Sequence, residues 1–436
     1  MSESKQSLSQ WLSWMEQQHP KAIDLGLERV SRVWQALGQP EVAKKIVTVG
    51  GTNGKGSTVT YLRDLCCAAG YRVGVYTSPH FLRYNERIWL EGNEVSDEAL
   101  CEAFETIHAC SQKLDPQMTL TYFEMGTLAA LWLLARESLD LAILEVGLGG
   151  RLDAVNIIDA DIAVLTSIDI DHADWLGTDR ENIGYEKAGI FRPGALAICA
   201  EPDMPASIAR HASMLGAQLI RIGEQFGISE EPEGYRCFGV LPNGAPWFLD
   251  SIEQPGLPVR NMAPALQAAS WLGMLPASVD VTRNTLKNAS LRGRFQQVFW
   301  QGRHWMLDVA HNPEAARHMA QWLKKRAPER KVLALCGMLA DKDCKGVFKA
   351  LISSVSHWQL IGLDGPRGQT AVQLEGLLQT EMEGHSNVAS HSSSSDLNAA
   401  TKDLIAISEP EDLILVFGSF VTVTGMLGLL ESQPDH

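Results

Sequence analysis

The feature that most restricts the fold of this chain is the alternation of short apolar segments with longer amphipathic ones. Apolar, β-branched runs such as Lys45–Val49, Val73–Tyr76 and Leu139–Glu145 are separated by stretches of helical periodicity, for example Ser57–Ala69. This alternation is typical of a parallel sheet covered by helices, because a crossover between parallel strands needs a helix. Near-continuous apolar strands also fit a sheet buried on both faces. The pattern therefore predicts an α/β fold.

Other segments continue the pattern through the chain. The same interpretation predicts strand Ile162–Thr166, helices Asp97–Lys113 and Met125–Arg136, a hairpin of Tyr235–Val240 and Pro246–Asp250 around Asn243-Gly244, and helices Asn261–Gly273 and Val281–Ala289. A second α/β unit begins near Arg292, with strands Trp305–Val309, Val332–Cys336, Trp358–Ile361 and Leu413–Phe417. The polar segment Glu383–Ser394 is predicted to be a solvated connection. Because 436 residues exceed one ordinary core, we expect domains 1–290 and 291–436.

Charge and cysteine usage narrow the class of protein. The formal net charge is −15, which disfavours a general attraction to nucleic acid or to anionic membranes. The first twenty residues lack a basic segment followed by an apolar one, so we predict no signal peptide. None of the eight cysteines forms a C-x-x-C pair. We therefore expect reduced thiols and a cytoplasmic protein that binds neither nucleic acid nor membrane.

A glycine-rich loop, GTNGKGST from Gly51 to Thr58, follows the first strand and opens a helix. Glycines let consecutive N–H groups face one phosphate, and the helix N-terminus adds partial positive charge. In such a loop Lys55 reaches the β- and γ-phosphates, and the Ser57 hydroxyl binds Mg²⁺. The spacing departs from the usual phosphate loop, since Gly56 separates Lys55 from Ser57. The alternative is a glycine-rich turn without a ligand.

Glu145 ends an apolar strand and precedes Gly-Leu-Gly-Gly. A carboxylate at the C-terminal end of a strand in an open α/β sheet lies at the ligand crevice. Hard oxygen ligands of this kind suit Mg²⁺, which would neutralise phosphates bound at the neighbouring loop. A solvated glutamate at the end of a strand is the alternative interpretation.

Motifs along nearly the whole chain are similar to one family. GTNGKGS resembles the nucleotide loop of the Mur ligase superfamily, and of its folate branch in particular. Further motifs resemble the folylpolyglutamate synthase/dihydrofolate synthase family in that family's order: TSPHFLRYNERI, TYFEMGTLAAL, LEVGLGGRLDAVN, SIDIDHADWLG, EKAGIFRPG, GRFQ and DVAHNPEAA. The resemblance implies a Mur-ligase-like ATP-binding domain over 1–290, of the P-loop ATPase type, and a smaller, Rossmann-like ligase domain over 291–436.

The resemblance also implies roles for residues in the metal centre. Ser78, Glu145 and His172 match the second magnesium site, beside a first site at Ser57. Asp169 and Asp171 remain alternatives to His172. Lys187 matches a lysine that carries a carboxyl group from CO₂ (N6-carboxylysine), although most lysines lie on the surface.

Binding residues follow in the same way. The resemblance implies that Thr52, Asn53, Gly54, Lys55, Gly56 and Ser57 bind ATP, together with Asn261 on the adenine side, Arg294 at the phosphates and Asp308 at the ribose. Three pieces match a dihydropteroate pocket: Ala22, Ile23, Asp24 and Leu25; Thr121, Tyr122, Phe123 and Glu124; and Leu152, Asp153 and Ala154. The alternatives are an N-cap for Asn261, a surface cation for Arg294 and core packing for Tyr122 and Phe123. His311 is a further candidate at the amino-acid or phosphate end.

The resemblance predicts a monomeric, bifunctional ligase with Lys55, Glu145, His172 and Lys187 at its catalytic centre. It would use ATP as co-substrate and two Mg²⁺ ions to add L-glutamate to dihydropteroate and to reduced folates. The alternatives are a folylpolyglutamate synthase only, a peptidoglycan-precursor ligase, and a catalytically silent ATP-controlled binding protein. Only about 50 residues precede the phosphate loop, which disfavours the peptidoglycan ligase. The complete metal constellation disfavours the silent protein.

Overall fold

The computed structural model describes residues 6–21, 23–383 and 390–433. The chain divides into two units, Met1–Ala289 and Ser290–His436. No helix in the described ranges is long and apolar enough to cross a lipid bilayer.

The first unit contains helices on both sides of a main sheet. Its helices are α1 Leu8–Gln18, α2 Glu28–Ala36, α3 Lys55–Ala68, α4 Asp97–Leu114, α5 Tyr122–Ala135, α6 Ala173–Leu176, α7 Arg180–Ala188, α8 Ala206–Leu215, α9 Met262–Leu272 and α10 Val279–Asn288. Its strands are β1 Lys45–Gly50, β2 Val73–Tyr76, β3 Ile88–Leu90, β4 Asn93–Glu94, β5 Leu141–Glu145, β6 Ile162–Leu165, β7 Leu196–Cys199, β8 Gln218–Arg221, β9 Gly227–Glu231, β10 Gly234–Val240 and β11 Pro246–Ile252.

The main sheet of this unit has the order β4-β3-β2-β5-β1-β6-β7-β8. From β2 to β8 the pairings are parallel, whereas β3 and β4 run antiparallel at one edge. Strand β1 lies between β5 and β6, with Val49 opposite Glu145 and Gly50 opposite Leu165. The carboxyl ends of β2, β5, β1 and β6 therefore meet at one edge of the sheet.

Burial of apolar side chains holds the helices on this sheet. On one face, a cluster containing Trp11, Trp34, Phe104 and Leu128 packs beneath α1, α2, α4 and α5. On the same face, over β6 and β7, a second cluster fixes α7 and α8. Helix α3 packs against α9 and buries residues on almost every side, which explains why its sequence shows little amphipathic character.

The predicted hairpin forms the antiparallel pair β10–β11, and Asn243 Oδ1 accepts a hydrogen bond from Ala245 N within its turn. The sequence interpretation missed β9, which pairs with β10 to complete a small antiparallel sheet.

The second unit is a smaller α/β layer. Its helices are α11 Pro313–Arg326, α12 Cys344–Leu351, α13 Ala371–Met382, α14 Leu397–Ile407 and α15 Phe420–Ser432, and its strands are β12 Gln296–Trp300, β13 Arg303–Leu307, β14 Val332–Cys336, β15 His357–Ile361, β16 Ser390–Ser394 and β17 Leu413–Phe417. The sheet order is β12-β13-β17-β14-β15-β16, and all pairings except β12–β13 are parallel. The predicted fold class, a parallel-sheet domain followed by a smaller Rossmann-like domain, is confirmed.

The prediction for Glu383–Ser394 was wrong for its last part. Residues 384–389 lie outside the described ranges, but Ser390–Ser394 form edge strand β16, parallel to β15. Serines disfavour strands in general, so composition alone pointed to a loop. Here their hydroxyls bond to buried polar side chains of β15, which compensates for the missing apolar contacts.

All eight cysteines are free thiols that are buried or half-buried. Burial raises the pKa of each thiol above its ordinary value. Thiolate nucleophiles are therefore scarce at neutral pH.

Candidate active site

The glycine-rich loop connects β1 to α3 and is fixed by the segment after β6. Thr52 N donates to Ser167 O at 2.8 Å, and Asn53 N donates to Ser167 Oγ at 3.0 Å. Gly51 has φ of 139°, and a Cβ added there would lie 2.0 Å from Thr166 Oγ1. Only glycine fits this position, because any side chain would collide with Thr166 in the segment that fixes the loop.

Gly54 shows the same requirement on the other side of the loop. Its φ is 89°, and an added Cβ would lie 2.4 Å from Asn261 Oδ1. Asn261 is buried and precedes α9, yet its side chain makes no capping hydrogen bond. Asn261 therefore occupies the N-cap position of α9 without capping the helix with its side chain, and its amide packs against the phosphate loop.

Lys55 is the first residue of α3, and its Nζ donates to Gly51 O at 3.0 Å and to Thr52 O at 3.2 Å. These contacts hold the ammonium within the loop. Ser57 follows in the first turn of the helix and is 2% exposed. A hydroxyl this buried at a helix N-terminus fits a role toward an ion or phosphate better than a role in solvation.

Ser78 and Glu145 come together from the neighbouring strands β2 and β5. The backbone N of Ser78 donates to Glu145 Oε2 at 3.2 Å, and Glu145 is 5% exposed. The alternative of a solvated glutamate at the end of a strand is therefore wrong. The oxygen atoms of Ser57, Ser78 and Glu145 make a hard donor set of the kind that Mg²⁺ prefers.

The loop after β6 carries His172 in a left-handed conformation, with φ of 52°. The His172 side chain is 42% exposed, whereas that of Asp171 is 10% exposed, and His172 Nε2 lies 3.8 Å from Asp171 Oδ2. The described residues contain no group of three or more His, Cys, Asp or Glu side chains that could hold a metal. His172 as a ligand stays a prediction, and the burial of Asp171 keeps that alternative open.

Lys187 lies on α7 and is 5% exposed, so the interpretation as a surface lysine is wrong. The backbone of Gly150 packs so closely on α7 that an added Cβ would lie 2.9 Å from the carbonyl oxygens of Glu186 and Lys187. The pKa of Lys187 is lowered to about 7, mainly by burial and also by the Lys55 charge, while Asp171 and Asp153 oppose the shift. A neutral amine is the form that reacts with CO₂, so this environment suits the predicted carboxylation.

Two of the three predicted pocket pieces meet behind this centre. Gly147 lies close to both the Phe123 ring and Asp153. A Cβ added to Gly147 would lie 2.6 Å from Phe123 Cζ and 3.3 Å from Asp153 Oδ2. Asp153 accepts hydrogen bonds from Leu148 N at 2.9 Å and Val155 N at 3.0 Å. Burial raises the pKa of Asp153 to about 6, against the hydrogen bonds and the Lys55 charge. The pocket pieces therefore lie within electrostatic reach of the phosphate loop.

The remaining pocket piece, which contains Asp24, is joined to the piece that contains Glu124 by a residue that the sequence interpretation missed. Arg29 NH1 lies 2.7 Å from Asp24 Oδ2, and Arg29 NH2 lies 2.9 Å from Glu124 Oε1. Glu124 also completes a capping box with Thr121 at the start of α5. Ala22 lies outside the described residues. The sequence signal for Arg29 was weak, since its partner Glu124 is 95 residues away in the chain.

Asp308 and Arg294 are neighbours in the second unit. Asp308 is 5% exposed at the end of β13 and accepts hydrogen bonds from Phe295 N at 2.9 Å and Ala310 N at 2.8 Å. Burial raises the pKa of Asp308, and the Arg294 charge opposes that rise. Arg294 Cζ lies 5.0 Å from the Phe420 ring centroid. Their roles toward ATP stay predictions.

This fold, with a phosphate loop at a helix N-terminus and with Ser78 and Glu145 at the ends of the adjacent strands β2 and β5, is typical of an ATP-dependent ligase of the Mur type. Residues 49–226 match the Mur ligase middle domain, and residues 293–420 match the Mur ligase glutamate ligase domain. The chain is 44% identical to the dihydrofolate synthase/folylpolyglutamate synthase of Escherichia coli K12 over 426 residues, covering 98% of this chain and 96% of the relative. It is 37% identical to the protein of that name from Haemophilus influenzae, covering 97% of this chain and 98% of the relative.

Solved structures agree with these relatives. E. coli FolC in complex with DHPP and ADP superposes with a TM-score of 0.90 at 42% identity, and each chain is covered completely, at 100%. The Yersinia pestis bifunctional folylpolyglutamate synthase/dihydrofolate synthase with AMPPNP and Mn superposes at 0.87 with 42% identity, covering 99% of this chain and 100% of that one. The chain belongs to the dihydrofolate synthase/folylpolyglutamate synthase family and is an ATP-dependent, ADP-forming ligase. The predicted family and bifunctional ligase class are confirmed, which removes the peptidoglycan-ligase alternative.

Proposed function

We propose that this chain adds L-glutamate first to dihydropteroate and then to reduced folates, through one acyl phosphate centre, as a cytoplasmic monomer. The observation that carries the proposal is that Phe123 and Asp153 of the predicted pocket both lie against Gly147, two residues after the end of β5, the strand that pairs with β1 just before the phosphate loop. The predicted dihydropteroate pocket and the phosphate loop are thus close enough for one substrate to reach both.

The chemistry has two steps that balance. A carboxylate oxygen of the acceptor attacks the γ-phosphorus of ATP, the P–O bond to ADP breaks, and an acyl phosphate forms. The amine of L-glutamate then attacks the acyl carbon, the C–O bond to phosphate breaks, and an amide, inorganic phosphate and a proton are released. In-line transfer of this kind depends on positioning and charge stabilisation, so no nucleophilic side chain is needed.

The residues divide this work by position. Thr52, Asn53, Gly54, Lys55 and Gly56 hold the phosphates, and Lys55 supplies positive charge where negative charge develops. Ser57, Ser78, Glu145 and His172 would hold two Mg²⁺ ions, which neutralise the phosphates when bound. The oxygen donors among them fit that ion. A carboxylated Lys187 would add a negative group beside this centre.

Omitting each substrate in turn tests the proposal. With ATP, Mg²⁺, L-glutamate and dihydropteroate present, we expect ADP and dihydrofolate in equal amounts. Replacing dihydropteroate by tetrahydrofolate should yield its diglutamate, and omission of any one component should abolish product. Mass spectrometry of the folates with an ADP assay gives both readouts. ADP formation without a glutamylated product from either acceptor would contradict the proposal.

A further inference from the structure

The loop from Thr77 to Arg87, which follows β2, is closed and internally braced. Its base is joined by a hydrogen bond from Thr77 N to Arg87 O at 2.8 Å. The carboxylate of Glu86 accepts from the backbone N–H groups of residues 81–83 at 2.8–2.9 Å. Asn85 Nδ2 donates to Val95 O at 2.7 Å. A loop tied at this many points holds its side chains in fixed positions, as a binding site requires.

Arg87 is an unusual cation within this loop. It is 8% exposed, and among the described residues no carboxylate forms an ion pair with it. Its guanidinium instead lies over the ring of Tyr84 at 5.0 Å and that of Tyr122 at 5.6 Å. Burying a charge without a counter-ion costs free energy unless the charge interacts with another group.

The other contact of Arg87 fixes the state of a histidine. Arg87 Nε lies 2.8 Å from His80 Nδ1. A guanidinium can only donate, so Nδ1 must accept, and the neutral imidazole carries its proton on Nε2. In the part of the chain that the structure describes, Nε2 of the half-buried His80 has no hydrogen-bond partner. The loop thus presents one N–H donor, polarised by the guanidinium behind it.

The position of His80 indicates the acceptor. It lies two residues after Ser78, whose N–H touches Glu145 at the proposed metal centre. Its partner Arg87 reaches the ring of Tyr122, which belongs to the proposed pterin pocket. Between a pterin pocket and a metal centre lies the carboxylate that is to be activated.

We propose that His80 donates a hydrogen bond from Nε2 to the reacting carboxylate of the pterin substrate, and that Arg87 is the positioning residue that fixes its tautomer. This inference rests on the proposed function. The same oxygen belongs to the acyl phosphate and gains negative charge when the amine attacks, so the bond strengthens along the reaction. His80 donates throughout and transfers no proton.

Two substitutions at His80 separate its two hydrogen bonds. In His80→Asn the short amide oxygen can still accept from Arg87, but the distal donor is lost. In His80→Gln an N–H returns to roughly the position of Nε2. Calorimetry should compare dihydropteroate with 6-(anilinomethyl)-7,8-dihydropterin, which lacks only the carboxylate. We expect His80→Asn to weaken dihydropteroate binding about tenfold, as for one hydrogen bond to a charged group, and to leave the anilino analogue unchanged.

The remaining variants are matched to these. His80→Gln should retain most of the affinity for dihydropteroate, and Arg87→Met should show the same selective loss as His80→Asn. Magnesium-ADP affinity and thermal midpoint report on folding and should match wild type in both His80 variants. An unchanged dihydropteroate affinity in His80→Asn, or an equal loss for both pterins, would overturn the inference. Wild-type chain that fails to bind dihydropteroate would instead overturn the proposed function, and this inference with it.

Discussion

Lys55 is a side chain on which both proposed reactions depend. We expect Lys55→Ala to lower kcat/KM and so raise the activation free energy by on the order of 3 kcal/mol or more. The reason is that the negative charge developing on the phosphates loses the ammonium group that stabilises it. The fold should remain, since the lost bonds are to carbonyl oxygens of the same loop. Steady-state kinetics with circular dichroism provide the measurement, and Lys113→Ala, at an exposed lysine, is the control. Near-normal turnover in a folded Lys55→Ala chain would refute the assignment.

Lys187 should make stability depend on pH in a defined direction. Its pKa is about 7 in the folded chain against 10.5 for an ordinary lysine, so between these values the unfolded chain binds the extra proton. Stability therefore rises with pH through this window and is lost as pH falls through 7. In urea denaturation in bicarbonate-free buffer, the free energy of unfolding of wild type should rise with pH relative to that of Lys187→Met. The rise should be at most about 1.4 kcal/mol per pH unit. A difference that is flat across this window would contradict the buried, neutral lysine.

Individual site residues differed in how far sequence could place them. Lys55 and Glu145 were predictable because each is fixed by its own strand end and by the glycines beside it. Arg29 and Arg87 were not, since their roles depend on partners that meet them only in three dimensions, such as Glu124 for Arg29. Burial of Lys187 likewise depends on the backbone of Gly150, which a single sequence does not connect to it.

At the scale of elements, β16 shows how polar side chains can hold an edge strand. Ser392 Oγ donates to Gln359 Oε1 at 2.7 Å, so His357 Nε2 must donate to Ser392 Oγ at 3.1 Å. Gln359 Nε2 donates to Ser394 Oγ at 2.6 Å, and that hydroxyl donates to Asp403. The bonds run in one direction and end on a carboxylate, which favours their cooperative strengthening. They also specify the register of a strand that has no apolar face.

Gln359→Met should break this ladder at its buried centre. Gln359 is fully buried, and its loss removes one hydrogen-bond partner from each of two serine hydroxyls. We expect a destabilisation of about 1–3 kcal/mol in urea titration, with unchanged ligase kinetics, because no proposed site residue lies on β15 or β16. Ser393→Ala, exposed on the same strand, is the matched control. Equal stability of the two variants would show that main-chain pairing alone holds β16.

The strands that carry the site were predictable, and the edge strands were not. The boundaries of β2, β14 and β17 follow directly from apolar runs, because buried parallel strands are apolar on both faces. Strands β12 and β16 lie at opposite edges of their sheet, where one side lacks a neighbour and polar residues are tolerated. Their sequences therefore resemble loops.

At the scale of the whole molecule, one phosphate-transfer centre should serve two acceptors of different length. Asp153→Asn should reduce dihydropteroate use more than tetrahydrofolate extension, because its motif matches the dihydropteroate pocket. Asparagine is preferred to alanine, since its amide oxygen can retain one of the two backbone hydrogen bonds that Asp153 accepts. Paired kcat/KM values give the measurement, and Lys55→Ala should remove both reactions together. A loss of equal size for the two acceptors would argue for a single pterin position.

The state of the thiols has a practical consequence for fluorescence work. Maleimides react with thiolates, and every native cysteine is buried or half-buried and has a raised pKa. A cysteine engineered at an exposed position would therefore be modified well before the native ones at neutral pH. Dyes could be placed on chosen sites for single-molecule distance measurements without first building a cysteine-free background.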